Sequence, residues 1–318
     1  MGHVVLVLVL VETVNDCLYL LEDQCYELIL APNATSRAEA IATHGARIDV
    51  VLTRGPLGLR DDEMAALPLL SIICVIGAGY EEVDLQAASN RGIKVTNGAG
   101  ANASCVADHT LALLLATVRG IPQADASVRR NEWIKVRQPS LSGKRLGIVG
   151  LGAVGQAIAK RAALGFDMSV SYHTRQPRPD SPYTYRANVH DLASAVDFLV
   201  LATPGGAGTR HLVDASVLQA LGPDGYLINI GRGSVVDTQA LITALAAGTI
   251  AGAGLDVFDG EPLVPDGLKT LSNVVMTPHV AGQSPEAAKD TVQLVVDNLQ
   301  AFFSGQPLLT PLQLPAPR

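Results

Sequence analysis

The sequence predicts an α/β protein built from two doubly wound parallel-sheet domains. Short apolar runs alternate with helical stretches along nearly the whole chain. The alternation breaks at Asn97-Gly-Ala-Gly100 and then starts again. A strand, a glycine turn and a helix follow one another at Lys144–Gly165, around Gly150-Leu-Gly152-Ala153-Val154-Gly155. Repeated β–α units imply parallel strands with helices over both faces.

The elements follow in order. Val4–Val11 is an unbroken run of valine and leucine, the pattern of a parallel strand buried on both faces. No Lys or Arg precedes it and Glu12 follows without a small-residue cleavage site, so it does not fit a secretion signal. It is also too short to span a membrane. Asn15–Gln24 is expected as a helix, Tyr26–Leu30 as a strand, Ser36–His44 as a helix and Ile48–Leu52 as a strand. Asp61–Ala66 is a short helix before Pro68, and Leu70–Val75 is a strand entering the turn Gly77-Ala78-Gly79. Helix Leu85–Arg91 and strand Ile93–Thr96 complete a first unit.

Apolar residues at helical spacing (Val106, Leu111, Leu114, Leu115, Val118) predict a long helix over Ala103–Arg119, with Pro122 past its end. Residues 123–143, which include Trp133, predict another helix and then an irregular approach to the glycine strand. From there the expected elements are strand Leu146–Val149, helix Gln156–Gly165 and strand Met168–Tyr172. Strand Phe198–Ala202 runs into Thr203-Pro204, and helix Ala215–Leu221 follows. Strand Tyr226–Ile230 runs into Gly231-Arg232-Gly233, followed by helix Thr238–Ala247 and strand Gly252–Asp256. Strand Val274–Met276 enters Thr277-Pro278-His279. The final helix, Pro285–Phe303, has no strand after it and is expected to return to the first domain, with an extended tail at Pro307–Arg318. The expected domains are therefore 1–98 with 283–318, and 99–282. The crossings near 98–103 and 282–286 would act as a hinge, and a cleft between the domains is the default ligand site.

Composition narrows the function classes. The chain has 318 residues, 48% hydrophobic and 17% charged, and a net charge of −7. No long basic block is present, which argues against nucleic acid as a partner. Cys17, Cys25, Cys74 and Cys105 are scattered without metal-ligand spacing. That pattern predicts reduced thiols in a cytoplasmic protein, with no metal and no membrane; a Cys17–Cys25 pair is the alternative.

The glycine turn predicts a dinucleotide site. Gly150 permits the tight turn, Gly152 lets the backbone approach a pyrophosphate, and Gly155 lets the helix pack on the strand. The helix N-terminus offers free N–H groups to the phosphates. Ligands of open parallel sheets sit at the carboxyl ends of the strands, so those ends nominate the remaining residues. After Tyr172 come His173, Thr174 and Arg175, with Arg178 nearby and no acid before Asp180. An NAD site normally places an acid there, so NADP(H) is the expected cofactor and NAD(H) the alternative.

Three later strand ends carry acid–base chemistry. Arg232 lies between glycines that would leave room around a guanidinium aimed at a carboxylate. Asp256 and Glu261 follow the next strand, and His279 the last. A carboxylate beside such a histidine fixes its tautomer, and the histidine then gives a proton to a carbonyl oxygen. His109, in an apolar helix, is expected as a satisfied core residue, and His3, His44, His190 and His211 as surface or loop positions. In the first domain the Gly77-Ala78-Gly79 backbone is a candidate anion cradle. Arg54 is a candidate to reach the cleft, with plain turn chemistry as the alternative.

Together these residues resemble the D-isomer-specific 2-hydroxyacid dehydrogenases over nearly the whole chain. The resemblance is carried by GAGYEEVDL at 77–85, GLGAVG at 150–155, NIGRGSVVD at 229–237, AGLDVFDGEP at 253–262 and TPHVAG at 277–282. It implies a flavodoxin-like substrate domain, a Rossmann cofactor domain and a homodimer formed through the latter. It implies that Arg232 binds substrate, that His279 donates the proton with Glu261 as its partner, and that Asp256 faces the nicotinamide. It places the substrate carboxylate on the Ala78 and Gly79 backbone. It assigns the cofactor to Gly150, Gly152, Ala153, Val154, Gly155, His173, Thr174, Arg175, Thr203, Pro204, Ile230, Gly231, Arg232, Asp256, His279 and Gly282.

YHTRQPRP at 172–179 and LTRGPLGL at 52–59 are most similar to the glyoxylate/hydroxypyruvate and 2-ketogluconate reductase branch. Glu261 stands where formate dehydrogenases carry an amide. The expectation is an NADPH-dependent reductase of small 2-oxo acids, glyoxylate and hydroxypyruvate first. A reductase of 2-ketogluconate, phosphoglycerate or an aromatic 2-oxo acid is the enzymatic rival. A dinucleotide-sensing interaction protein is the rival from another class, disfavoured by the intact Arg, Glu and His. Trp133 is a further candidate for shaping the substrate pocket.

Overall fold

The computed structural model describes residues 4–318, so His3 lies outside it. The chain divides into two compact units. One holds the described residues up to Asn102 together with Gln283–Arg318, and the other is Ala103–Gly282.

The first unit is a five-stranded parallel sheet of β1 (Leu6–Val9), β2 (Glu27–Leu30), β3 (Val50–Arg54), β4 (Ile72–Ile76) and β5 (Lys94–Asn97). Its order, β2-β1-β3-β4-β5, is flavodoxin-like. Four helices link the strands: α1 (Tyr19–Glu22), α2 (Ala34–His44), α3 (Asp61–Ala65) and α4 (Leu85–Asn90). The last helix of the chain, α12 (Pro285–Phe303), also packs on this sheet. It starts on a Ser284 cap that accepts the Ala287 N–H, with Pro285 in its first turn. Val292, Val295, Val296 and Leu299 then pack against Val7, Val9, Val50, Ile72 and Cys74. Leu6, Leu8, Val51, Ile73 and Val95 face the opposite side. Both faces are covered at β1 and β4, which is why those two strands are continuously apolar. The tail pairs Pro311 with Thr96 and shields the β5 edge.

The second unit opens with α5 (Ala103–Val118) and α6 (Ile121–Arg129). These two bend by 61° at their junction, and no single helix among the described residues is long and apolar enough to cross a membrane. Then follow β6 (Arg145–Val149), α7 (Ala153–Phe166), β7 (Ser169–His173), β8 (Thr184–Tyr185), α8 (Val189–Ser194) and β9 (Phe198–Leu201). The unit continues through α9 (Ala215–Leu221), β10 (Tyr226–Asn229), α10 (Thr238–Ala246), β11 (Gly252–Leu255), α11 (Asp266–Lys269) and β12 (Val274–Met276). The strands form a seven-stranded sheet in the order β12-β11-β10-β9-β6-β7-β8, parallel throughout. The order reverses between β6 and β9, a Rossmann switch point, and the crevice outside those strand ends is a ligand site. One face is filled from α5 and α7 by Leu111, Leu114, Ile158 and Ala162. The other is filled from α8, α9 and α10 by Leu192, Leu218 and Leu241.

Two local expectations are corrected and two short elements are added. The helix expected over Asn15–Gln24 is a 3-10 turn, Asn15–Cys17, followed by the single turn of α1. No side chain caps either piece, and Cys17, Leu18 and Leu21 are drawn into the core. Strand β8 and helix α8 carry no readable periodicity, because β8 is two residues long and α8 six. Ile230 and Asp256 are not strand residues: β10 ends at Asn229 and β11 at Leu255, so both open loops.

Candidate active site

The glycine turn lies at the switch point. Gly150 has φ +96°, and a Cβ there would stand 2.6 Å from the Ala202 carbonyl, so the turn is pressed against the loop after β9. A Cβ on Gly155 would overlap the Gly150 carbonyl. A Cβ on Gly152 meets nothing within 4 Å. Gly152 is also the N-cap of α7 and has no side chain to satisfy the first-turn N–H groups. Ala153 beside it is exposed and Val154 half-buried. An open approach to unsatisfied N–H groups at a helix N-terminus fits a pyrophosphate.

Next to this turn, β7 ends at His173. The His173 Nδ1 donates to the Arg186 carbonyl at 3.0 Å. The Thr174 hydroxyl donates to the Gln176 carbonyl at 2.6 Å, which leaves its oxygen as an acceptor. Arg175 and Arg178 are exposed.

The loop after β10 holds Arg232, and here the task assigned to its glycines is corrected. A Cβ on Gly231 would stand 2.6 Å from the Thr203 carbonyl, and one on Gly233 would overlap the Phe258 backbone. Their space is taken by neighbouring loops rather than left for the guanidinium. Room for the arginine comes from Gly205, where a Cβ would stand 3.1 Å from Arg232 Cγ. Asn229, buried at the end of β10, clasps the loop: it accepts the Gly231 N–H at 3.1 Å and donates to the Arg232 carbonyl at 3.0 Å. Arg232 itself is half-buried and donates to the Gly231 carbonyl. Ile230 is buried beside it, and Pro204 accepts the Thr209 hydroxyl.

His279 and Glu261 meet. The imidazole Nδ1 lies 2.7 Å from Glu261 Oε2, and Glu261 Oε1 accepts the Phe258 N–H at 2.9 Å. His279 has φ +54°, a left-handed conformation rare outside glycine, and the loop around it is tied down to hold it. The anchor is Asp256, which is fully buried. Its carboxylate accepts the Thr277 hydroxyl at 2.6 Å and the N–H groups of Val280 at 2.9 Å and Ala281 at 3.0 Å. Its backbone carbonyl accepts the His279 N–H at 2.8 Å. Gly282, half-buried, ends this loop.

His109 belongs to the same network, which sequence reasoning missed. Its Nε2 lies 3.1 Å from the Thr277 hydroxyl and 3.5 Å from Asp256 Oδ1. One turn earlier on α5, Cys105 donates to the Ala281 carbonyl at 3.2 Å. The signal was a stripe at four-residue spacing, Cys105, His109, Leu113 and Thr117. A Cβ on Gly254 of β11 would meet both Leu113 and Thr117 at 2.8 Å, so this face of α5 lies flat on the strand.

In the first unit, Arg54 is the exposed last residue of β3, and its carbonyl closes a turn with Leu57 and Gly58. The Ala78 carbonyl accepts from Asn97 Nδ2 at 2.9 Å, and Gly79 is buried. No cluster of metal-ligating side chains occurs among the described residues.

A glycine turn open to a pyrophosphate and an imidazole held by a carboxylate are the parts of a dinucleotide-dependent oxidoreductase. The family described as D-isomer specific 2-hydroxyacid dehydrogenase, NAD binding domain, matches residues 111–281. A hydroxyphenylpyruvate reductase of Plectranthus scutellarioides is 41% identical over 294 residues, covering 91% of this chain and 93% of the relative. A glyoxylate/hydroxypyruvate reductase of Arabidopsis thaliana is 40% identical over 288 residues, covering 88% and 89%. Among solved structures, the NADPH-dependent glyoxylate/hydroxypyruvate reductase of Sinorhizobium meliloti with NADP and malonate superposes with a TM-score of 0.87. It is 41% identical, over 97% of this chain and 96% of that one. The chain belongs to the D-isomer-specific 2-hydroxyacid dehydrogenases. It is an NAD(P)-dependent oxidoreductase that reduces 2-oxo acids.

Proposed function

We propose that the chain reduces small 2-oxo acids, glyoxylate and hydroxypyruvate first, to D-2-hydroxy acids with NADPH in preference to NADH. The observation that carries the chemistry is the His279–Glu261 pair at 2.7 Å. With Nδ1 held by the carboxylate, Nε2 is the nitrogen left to give a proton to the substrate carbonyl oxygen. Bound NADPH supplies the hydride. Arg232 grips the substrate carboxylate and orients the carbonyl beside it. In the first unit, Ala78, Gly79 and Arg54 are proposed as substrate-binding residues, supported by their places just after β4 and at the carboxyl end of β3. Asp256 acts through the loop: its carboxylate is spent on Thr277, Val280 and Ala281, so it positions His279. Cofactor choice is supported by the end of β7, where Thr174 and Arg175 stand in place of an acid.

A substrate panel followed at 340 nm with NADPH and NADH tests this. The expected ranking has glyoxylate and hydroxypyruvate on top and a higher kcat/KM with NADPH. Hydroxyphenylpyruvate and 2-ketogluconate belong in the panel; either one ranking first would replace the substrate assignment, and a clear NADH preference would remove the cofactor assignment. His279→Gln should lower kcat about 100- to 10,000-fold with NADPH binding unchanged. Unchanged turnover removes His279 as donor.

The same proposal includes a homodimer formed through the second unit, supported by the exposed Trp133, Ile134 and Val136. Light scattering would refute it by returning a monomer mass. It also includes a cytoplasmic location, supported by four free cysteines. Cell fractionation tests that.

A further inference from the structure

We infer that Arg186, acting with Arg175, grips the 2′-phosphate of NADP(H), an inference that rests on the NADPH preference proposed above. Arg186 directly follows β8, the strand that pairs with β7 at the sheet edge. In this fold the carboxyl end of the β7-type strand is where the ribose 2′ position is read.

Arg186 is held at that end by its backbone. Its N–H donates to the Tyr172 carbonyl at 2.8 Å, and its own carbonyl accepts from His173 Nδ1 at 3.0 Å. The loop carrying the other arginines is tied to the same two strands. The Tyr172 hydroxyl accepts the Arg178 N–H at 2.8 Å, and the Tyr185 hydroxyl donates to the Thr174 carbonyl at 3.4 Å. Arg175, Arg178 and Arg186 are thus gathered around one knot of backbone.

None of these guanidiniums has an ion-pair partner among the described residues. Elsewhere in this unit Arg129, Arg130, Arg145, Arg161 and Arg210 each have a carboxylate within 4.0 Å. Arg186 is the sharpest case. Its Nε is shut off from solvent and meets no acceptor. A buried donor on a charged group without an acceptor is costly, and native structures rarely keep one without a use. A phosphate monoester dianion supplies what is missing: several acceptor oxygens and two negative charges, matched to the planar guanidinium fork. Arg186 is anchored by backbone and half-buried, so it binds pre-positioned, whereas exposed Arg175 closes over the ligand.

The test is calorimetric titration of the purified protein with adenosine 2′,5′-bisphosphate and with 5′-AMP, which differ in the 2′-phosphate. Wild type should bind the bisphosphate more tightly. Arg186→Met should weaken the bisphosphate about ten- to a hundredfold, the range of a hydrogen bond to a charged group, and leave 5′-AMP within about twofold. Arg186→Lys should fall between. Unligated Arg186→Met should melt no lower than wild type, since the buried unmet donor is gone. A bisphosphate preference that survives in Arg186→Met overturns the inference and leaves the NADPH preference standing. Equal loss of both ligands overturns it in favour of a structural role. A wild type that does not distinguish the two ligands removes the NADPH preference and this inference together.

Discussion

Replacing Asp256 with alanine would remove the acceptor that holds the His279 loop, and the structure sets the size of the effect. Three donors lose their partner: the Thr277 hydroxyl, the Val280 N–H and the Ala281 N–H. Ala281 is buried, so its N–H meets the full penalty for an orphaned donor, about 1–3 kcal/mol. Thr277 and Val280 are half-buried, reach water in part and count at the low end of that range. The sum is about 3–5 kcal/mol, a large share of the roughly 5–15 kcal/mol that holds a typical domain. For a unit of this size it corresponds to a fall in melting temperature of about 10 °C. His279 would lose the tether for its left-handed backbone at φ +54°. A displacement of about 1 Å in a reacting group costs on the order of 100-fold in rate. Asp256→Asn separates the two effects. One oxygen still accepts, but the amide nitrogen faces a donor, so about half the stability loss is expected. Thermal unfolding by circular dichroism and NADPH oxidation at 340 nm read the two consequences. A melting temperature within 2 °C of wild type for Asp256→Ala would refute the assignment of Asp256 as the anchor of this loop.

Other perturbations follow from the same geometry. Gly152→Val should fold normally, because its Cβ meets nothing, yet bind NADPH at least about tenfold more weakly. Gly155→Val should melt far lower or fail to fold, because its Cβ overlaps the Gly150 carbonyl; fluorescence titration and thermal unfolding separate the pair. Hydrogen bonding from Arg145 holds the Asp197 carboxyl below the usual aspartate range. A lowered folded-state value means stability that is present above the ordinary aspartate pKa and lost as pH falls through the lowered one. Asp197→Asn should therefore cost about 1 kcal/mol at neutral pH, and its difference from wild type should vanish in strong acid. Burial pushes the Cys74 thiol up to about 12, so it should resist thiol reagents in the native protein at pH 8 while exposed Cys25 reacts.

The sheets were legible because a parallel strand covered on both faces has to be apolar along its length, as in Leu6–Val9 and Phe198–Leu201. The glycine turn was legible because each glycine answers a separate steric demand that a single sequence displays. Arg232, Glu261 and His279 were nominated by one rule, that ligands lie outside the carboxyl ends of parallel strands. What lay beyond reach came from contacts between elements distant in the chain. The helix expected at Asn15–Gln24 broke because burying Cys17, Leu18 and Leu21 outweighed local propensity. The glycines beside Arg232 proved to be spacers for the loops at Thr203 and Phe258, while Gly205, distant in sequence, makes room for the arginine. His109 looks like a core residue on its own helix, and only the docking of α5 on β11 brings it to Asp256 and Thr277. Arg186 is silent in sequence because β8 is two residues long; its place beside His173 follows from strand pairing. Periodicity and steric signals are local and survive in one dimension. A hydrogen-bond partner 25 or 168 residues away is chosen by packing, and only the folded chain specifies it.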